Sequence, residues 1–250
     1  RVSEYLDLEA VAMKAMTTTS SGTKLQTAGM WYIDVVCNGK PLVMKPGKQY
    51  MINVNMTGDV KDMKVFTGQQ KNGLLNWKEE SDDHVIKPGD PITVKVADSS
   101  AYENEENWEG EGENYAMRDQ VYFANNNQYG LQLNDFGWLN CDAFDDTQQL
   151  TDLMVRGDID EKTIVMLVYG KRKSVLPGYL CKDKKTVLFS NIASDETAML
   201  VVFKKTDEKG SVSRYTQVLQ PGKENRIRVS MTASTAENLR NEIKGKLSDL

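Results

Sequence analysis

Met30-Trp31-Tyr32-Ile33-Asp34-Val35-Val36-Cys37-Asn38-Gly39 reads as a strand running into a hairpin turn. Aromatic and β-branched side chains suit a pleated, half-buried surface. Asn-Gly supplies the two positive-φ residues that a type I′ turn requires. Pro41-Leu42-Val43-Met44 then returns, and Lys45-Pro46-Gly47-Lys48 turns the chain again. Working outward, the same grammar repeats. Tyr50, Ile52 and Val54 alternate onto one face of a strand over Gln49–Val54, and Met63–Thr67, Leu74–Lys78 and Pro91–Val96 are further strands. The turn Lys87-Pro88-Gly89-Asp90 precedes the last of them.

Between about 98 and 114 the composition changes. Glu103, Glu105, Glu106, Glu109, Glu111 and Glu113 alternate with Asn and Gly around a single tryptophan, Trp108. Carboxylates this dense repel one another and bury little, so residues 101–114 are expected to form an acidic linker or long loop. Calcium is the alternative use of the acidic 103–113 stretch, although the EF-hand spacing of ligands is absent.

Strand signals resume at Val121–Ala124, Leu131–Leu133 and Thr147–Val155. The nearly continuous apolar run in Thr163–Tyr169 suits a strand buried on both faces or central in a sandwich. Thr186–Ser190, Thr197–Lys205, Ser213–Leu219 and Asn225–Met231 complete the series, with turns at Leu176-Pro177-Gly178 and Gln220-Pro221-Gly222. Short strands at this spacing predict antiparallel sandwiches. Near the C-terminus, Ser234 and Glu237 have capping-box spacing, and Leu239, Ile243 and Leu247 recur every four residues, which predicts a helix over 235–248. A shorter helix or a strand fits Ser3–Ala15. The expected fold is therefore mainly β: two antiparallel β-sandwich-type domains, residues 1–100 and 115–250, joined by the acidic segment and closed by a C-terminal helix.

The 250 residues carry a net charge of −5, with 40% hydrophobic and 27% charged side chains. That balance lacks the basic footprint of a nucleic-acid binder. The local clusters Lys171-Arg172-Lys173 and Lys182, Lys184, Lys185 have acidic neighbours, so they are read as solvated strand ends and turns. No apolar run is long enough to span a membrane as a helix. The chain opens at Arg1 rather than Met, which fits a form that has lost an N-terminal segment such as a secretory or lipid-anchor signal.

Gly137-Trp138-Leu139-Asn140-Cys141-Asp142 is the stretch that most resembles a reactive site. A nucleophile needs an adjacent base, and the single histidine, His84, is remote in sequence and read as an exposed loop residue after Asp82-Asp83. Asp142, Asp145 and Asp146 raise a neighbouring thiol's pKa, which opposes a reactive Cys141. The same carboxylates with one thiol form a ligand set that suits no common metal ion, so neither a metal nor a cofactor is expected. Phosphate-binding glycine motifs are absent. Cys37, Cys141 and Cys181 are read as three buried free thiols, with a Cys141–Cys181 disulfide as the alternative in an oxidising compartment. Trp138 and Cys141 are expected to face the core at the opening of the second sandwich. Asn140 and Asp142 would there satisfy turn backbone groups. Trp31 is also assigned to the core. Trp77 and Trp108, beside charged loops, are the candidate contacts for a protein or glycan.

Ser20-Ser21-Gly22-Thr23-Lys24-Leu25-Gln26-Thr27-Ala28-Gly29-Met30-Trp31-Tyr32 followed by Asn38-Gly39-Lys40-Pro41-Leu42 resembles a pattern in cell-envelope proteins of the Bacteroidetes. So do Met63-Lys64-Val65-Phe66-Thr67-Gly68 with the downstream Trp77, and Phe136 through Asp142. The pieces occur in similar order over most of the chain. The resemblance implies a secreted or lipid-anchored protein without an assigned catalytic set, periplasmic or surface-exposed. Residues 137, 138, 140, 141 and 142 would then be structural family markers. The first half is also similar to ZU5-like β domains, whose autoproteolytic members cleave at His-Phe/Leu-Ser/Thr. Here His84-Val85-Ile86 stands instead, which does not support that chemistry. The second half looks like a transthyretin-like or carboxypeptidase-regulatory β-sandwich. The expectation is a non-catalytic envelope protein with a structural or protein- or glycan-binding role, touching membrane only through an N-terminal lipid anchor. A secreted glycan hydrolase working through loop carboxylates is the alternative.

Overall fold

The structure, a computed structural model, describes residues 1–56, 62–71, 74–80, 84–87, 91–97, 117–123 and 128–250. It is mainly β with antiparallel sandwich-type packing, as the sequence predicts. The first part runs β1 (Val2–Tyr5), α1 (Leu8–Met13), β2 (Thr19–Ser20), β3 (Thr23–Ile33), β4 (Val36–Cys37), β5 (Lys40–Pro41), β6 (Tyr50–Val54), β7 (Lys64–Lys71) and β8 (Leu74–Glu79). It continues through β9 (His84–Ile86), β10 (Pro91–Ala97), β11 (Met117–Phe123), β12 (Tyr129–Leu133) and β13 (Gly137–Phe144). Asn38 and Gly39 take φ of 50° and 75°, the pair of positive values their hairpin turn demands. The returning strand is shorter than expected. Only Lys40–Pro41 pairs, with one more bond from Leu42 N–H to the Val35 carbonyl at 2.8 Å.

The first sheet has the order β1-β3-β13-β7-β8, with β2 on β3, and the second has β6-β12-β9. Their facing sides close one core: Trp31, Ile33, Val65, Leu139 and Cys141 meet Val54, Leu131 and Leu133. Tyr50 and Ile52 join Val54 there, which is the face that their alternation assigns them. His84 opens β9, paired with Gln132, and so does not lie in a loop.

The remaining elements are β14 (Leu150–Gly157), β15 (Ile164–Tyr169), β16 (Ser174–Pro177), β17 (Tyr179–Leu180), β18 (Thr186–Ala193), β19 (Ala198–Lys205), β20 (Ser211–Leu219), β21 (Arg226–Val229), β22 (Thr232–Thr235) and α2 (Ala236–Leu247). The third sheet is β16-β15-β19-β20-β22 and the fourth is β17-β18-β14-β21, in which β14 and β21 pair in parallel. The apolar runs of β15 and β19 are buried on both faces. Val165, Leu167, Leu200 and Val202 face the fourth sheet's Leu153, Val155, Val187 and Phe189. Met166, Val168, Met199, Val201 and Phe203 turn the other way, into a core shared with Met30, Phe66 and Trp77 of the first sheet and with both helices. Three cores thus hold four sheets in succession, and the middle one draws on both parts of the chain.

Three expectations need correction. Ladders cross the acidic segment, since β10 pairs with β11, β12 with β6 and β9, and β13 with β3 and β7. Strand pairing therefore changes partners between Phe144 and Leu150, not at 101–114: charge density marks a polar segment but carries no information on pairing. For the same reason Gly137–Asp142 is an interior strand of the first sheet, not the opening of the second sandwich. The C-terminal helix is capped one residue later than predicted. Thr235 Oγ1 accepts from Asn238 N at 3.1 Å, while Ser234 is still in β22.

Candidate functional site

The Gly137–Asp142 strand is interior on both sides. Leu139 and Cys141 lie in the core against the second sheet, while Asn140 and Asp142 share the opposite side, fully buried. Asn140 Nδ2 donates to Asp142 Oδ2 at 2.5 Å and Asn140 Oδ1 accepts from Thr27 Oγ1 at 2.9 Å. Thr27 Oγ1 in turn accepts from Gly29 N at 3.1 Å, beside the irregular register where β3 meets Cys141 and Asp142. The two polar residues thus satisfy a side-chain chain and a bulged strand, and not a turn. Burial holds the Asp142 carboxyl well above the usual carboxylate range, with the Thr27 and Asn140 side chains opposing. Burial, reinforced by Asp142, also pushes the Cys141 thiol upward. A carboxyl and a thiol whose charged forms burial disfavours are packing groups, and this segment offers no exposed nucleophile.

Trp77, expected as a surface contact, is completely buried. Its indole N–H donates to the Thr17 carbonyl, and its ring lies in the middle core. The charged neighbours Lys78 and Glu79 misled the reading: strand alternation sends Trp77 inward and Lys78 to solvent, and Glu79 is exposed where the strand ends. Trp108 and the acidic 103–113 stretch lie outside the described residues. Trp138 is half-buried, with its ring centroid 4.9 Å from that of Tyr32 and 5.6 Å from that of Tyr5. The three cysteines are free, but only Cys141 is buried. Cys37 is exposed on the short β4–β5 ribbon, which pairs with no other strand among the described residues, and Cys181 is half-exposed. Among the described residues no cluster of His, Cys, Asp and Glu is arranged to hold a metal ion.

The carboxylates nearest to an enzyme-like grouping are tied to one cation. Arg172 faces Asp145 at 3.1 Å, Asp195 at 2.8 Å and Glu196 at 2.8 Å, and also donates to Thr147. Asp145 and Glu196 are buried, so this guanidinium pins the Phe144–Leu150 connection onto the second sandwich. Burial lowers the nearby Lys24 ammonium's pKa, with Asp145 opposing. The arrangement is a charge-neutralising latch.

The solvent-facing chemistry lies on the fourth sheet. Alternation sends Leu153, Val155, Val187, Phe189, Ile227 and Val229 inward. It leaves Met154, Arg156, Leu188, Arg226 and Arg228 on the outer face. Register then assembles two rows across the strands. Tyr179, Leu188, Met154 and Arg226 are successive partners in one row, and Thr186, Arg156 and Arg228 in the next. At a strand spacing of about 4.8 Å the first row runs about 14 Å. Tyr179 is 70% exposed. Arg156 Nε donates to Thr186 Oγ1 at 2.9 Å, and that hydroxyl donates to Asp183 Oδ2 at 2.6 Å. Asp183 also accepts backbone N–H groups of Lys185 and Thr186, and these bonds hold its carboxyl below the ordinary range.

A hollow of about 570 Å³ lies over Arg156, Asp183, Lys185, Arg226 and Arg228. A second, of about 750 Å³, adjoins it through Gly157 and Lys185. Sequence reasoning missed this face. Its one local signal is Arg226-Ile227-Arg228-Val229, cations alternating with core residues; Arg156 joins them only through the parallel β14–β21 pairing. Comparison of the chain with protein-family models, with curated proteins and with solved structures gives no match.

Proposed function

We propose that this chain is a non-catalytic component of a bacterial cell envelope, with a structural or binding role toward a protein or glycan partner. The outer face of the fourth sheet carries the reading: an aromatic, two aliphatic side chains and arginines stand in register on an open surface. Such a face offers contact area and hydrogen-bond donors, and its carboxylate, Asp183, is engaged by the Thr186 hydroxyl and by backbone N–H groups. The interior supports the same reading, since Cys141 and Asp142 are buried and Asp145, Asp195 and Glu196 are committed to Arg172. The compartment rests on the envelope-type motifs, with any membrane attachment coming from an N-terminal lipid.

The test has two parts. Fractionation of cells expressing the full-length gene product is expected to place it in the envelope, and a plain cytosolic location overturns the assignment. Incubation with envelope polysaccharides is expected to release no reducing ends. Turnover abolished by Glu196→Gln would instead establish the hydrolase.

A further inference from the structure

Seven arginines lie among the residues whose side chains are described, and their pairing divides them sharply. Arg1, Arg172, Arg214 and Arg240 each face a carboxylate. Arg156, Arg226 and Arg228 form no direct ion pair among the described residues, although Asp183, reached from Arg156 through Thr186, lines the same hollow and attracts Arg156; the three are neighbours on one sheet face. Lys185, also without an ion pair there, borders the same hollow. In a chain of net charge −5, unpaired cations gathered in one place are an anomaly that calls for an anion.

The geometry points to a repeating anion rather than a single one. Side chains on one face of a sheet stand roughly parallel, so these guanidinium groups do not converge on one phosphate or carboxylate. Arg156 and Arg228 are one strand spacing apart, about 4.8 Å, and Arg226 and Arg228 are two residues apart along β21, about 7 Å. Arg156 is held at Nε by Thr186, which leaves its two terminal nitrogens to meet a ligand. Beside the cations, Tyr179, Leu188 and Met154 extend the row as an apolar strip. A chain of bare phosphates has no use for that strip, and nucleic acid favours a ladder of stacking aromatics where this face has one tyrosine. A polymer of sugar rings carrying sulfate or carboxylate groups uses both parts, its C–H faces on Tyr179 and its anions on the arginines.

We infer that the outer face of β17-β18-β14-β21 binds an acidic polysaccharide, with Arg156, Arg226 and Arg228 as the anion contacts and Tyr179 as the ring platform. This rests on the binding role proposed above and names the ligand class for it.

The experiment is calorimetric or interferometric binding of the whole chain to dextran sulfate, polygalacturonate and neutral dextran, at low and high salt. A single-stranded oligonucleotide and phosphatidylglycerol vesicles run alongside. The expected result is binding to at least one acidic polymer that weakens with salt. Arg226→Glu/Arg228→Glu should reduce it at least tenfold. Lys171→Glu, at the opposite end of the sandwich, should change it less than twofold. Arg156→Gln serves if the double reversal does not fold, and should weaken binding at least threefold. Equal loss with Lys171→Glu, or tighter binding to the oligonucleotide or vesicles, overturns the inference. So does a double reversal that keeps full affinity but aggregates, since the cations then serve only to guard the β21 edge. Neutral dextran bound as well as dextran sulfate sinks the anionic ligand and leaves the binding role standing. No binding to any polymer overturns the inference alone, because cell fractionation tests the envelope role separately.

Discussion

Replacing Asp142 with asparagine should change how stability depends on pH more than it changes stability at any one pH. Asp142 is fully buried, and burial raises its carboxyl pKa in the fold well above the usual range. In the unfolded chain the group titrates near its ordinary value of about 3.9. Between those two pKa values the folded protein holds a proton that the unfolded chain has released. Rising pH therefore favours unfolding, by about 1.4 kcal/mol per pH unit for as long as the acid stays protonated in the fold. Below about pH 4 both states are protonated and the effect vanishes.

Asp142→Asn removes this titration and keeps the acceptor for Asn140 Nδ2. It adds N–H donors to a dry site, a pH-independent cost of about 1–2 kcal/mol. The variant should start less stable than the parent near pH 4 and gain on it as pH rises. The gain accrues at about 1.4 kcal/mol for each pH unit over which the acid stays protonated in the fold. With a urea slope of about 3 kcal/mol/M, each such unit is a relative midpoint shift of about 0.5 M. Urea titrations at half-unit pH steps, followed by tryptophan fluorescence, measure it, and every other titrating group cancels in the difference. Parallel curves for parent and variant from pH 5 to pH 7 would refute the buried neutral acid.

Four further experiments probe the remaining structure. Arg172→Leu leaves buried Asp145 and Glu196 without their cation and should cost about 3 kcal/mol. Adding Glu196→Leu should recover part of that, a positive coupling of about 1 kcal/mol or more in a double-mutant cycle, whereas strict additivity argues against the latch. Gly157→Ala should lower stability by about 3 kcal/mol. At φ +142° an added Cβ would strike the Val229 backbone, and thermal melting with no shift of midpoint would contradict that close approach. Cys141→Ser should lose about 1–2 kcal/mol by placing a hydroxyl in an apolar core, with ligand binding unchanged; lost binding at unchanged stability would return the residue to the candidate site. Trp77→Phe removes the bond to Thr17 O and should lower the melting temperature without altering affinity for any glycan, while an affinity loss alone would restore Trp77 as a contact.

Local chemistry carried much of the fold into view. The Asn38-Gly39 turn has the positive φ values that its residue types imply, and the apolar runs of β15 and β19 are buried on both faces as their composition predicts. The Leu239–Ile243 stripe forms the helix read from it. Errors arose where neighbours in sequence were taken for neighbours in space. Trp77 lies among charged residues along the chain, but its strand turns it inward. Cys37 lies among apolar residues, yet it is exposed on a two-stranded ribbon. Asp142 looked like a turn residue because aspartate commonly is one, and only burial between layers raises its carboxyl pKa.

What the sequence determined by itself is therefore the β class, the positions of most strands and the final helix, because these follow from alternation, turn geometry and helical period over a few residues. Which strands pair was decided by the tertiary structure alone. Pairing brings β13 back to β3 across more than a hundred residues, puts three cores between four sheets, and sets Arg156 beside Arg228. Long-range pairing depends on how buried faces complement one another once all the strands are present, and no short window of sequence contains that information. The arginine face is a product of such pairing, which is why the proposed binding surface could be seen only in three dimensions.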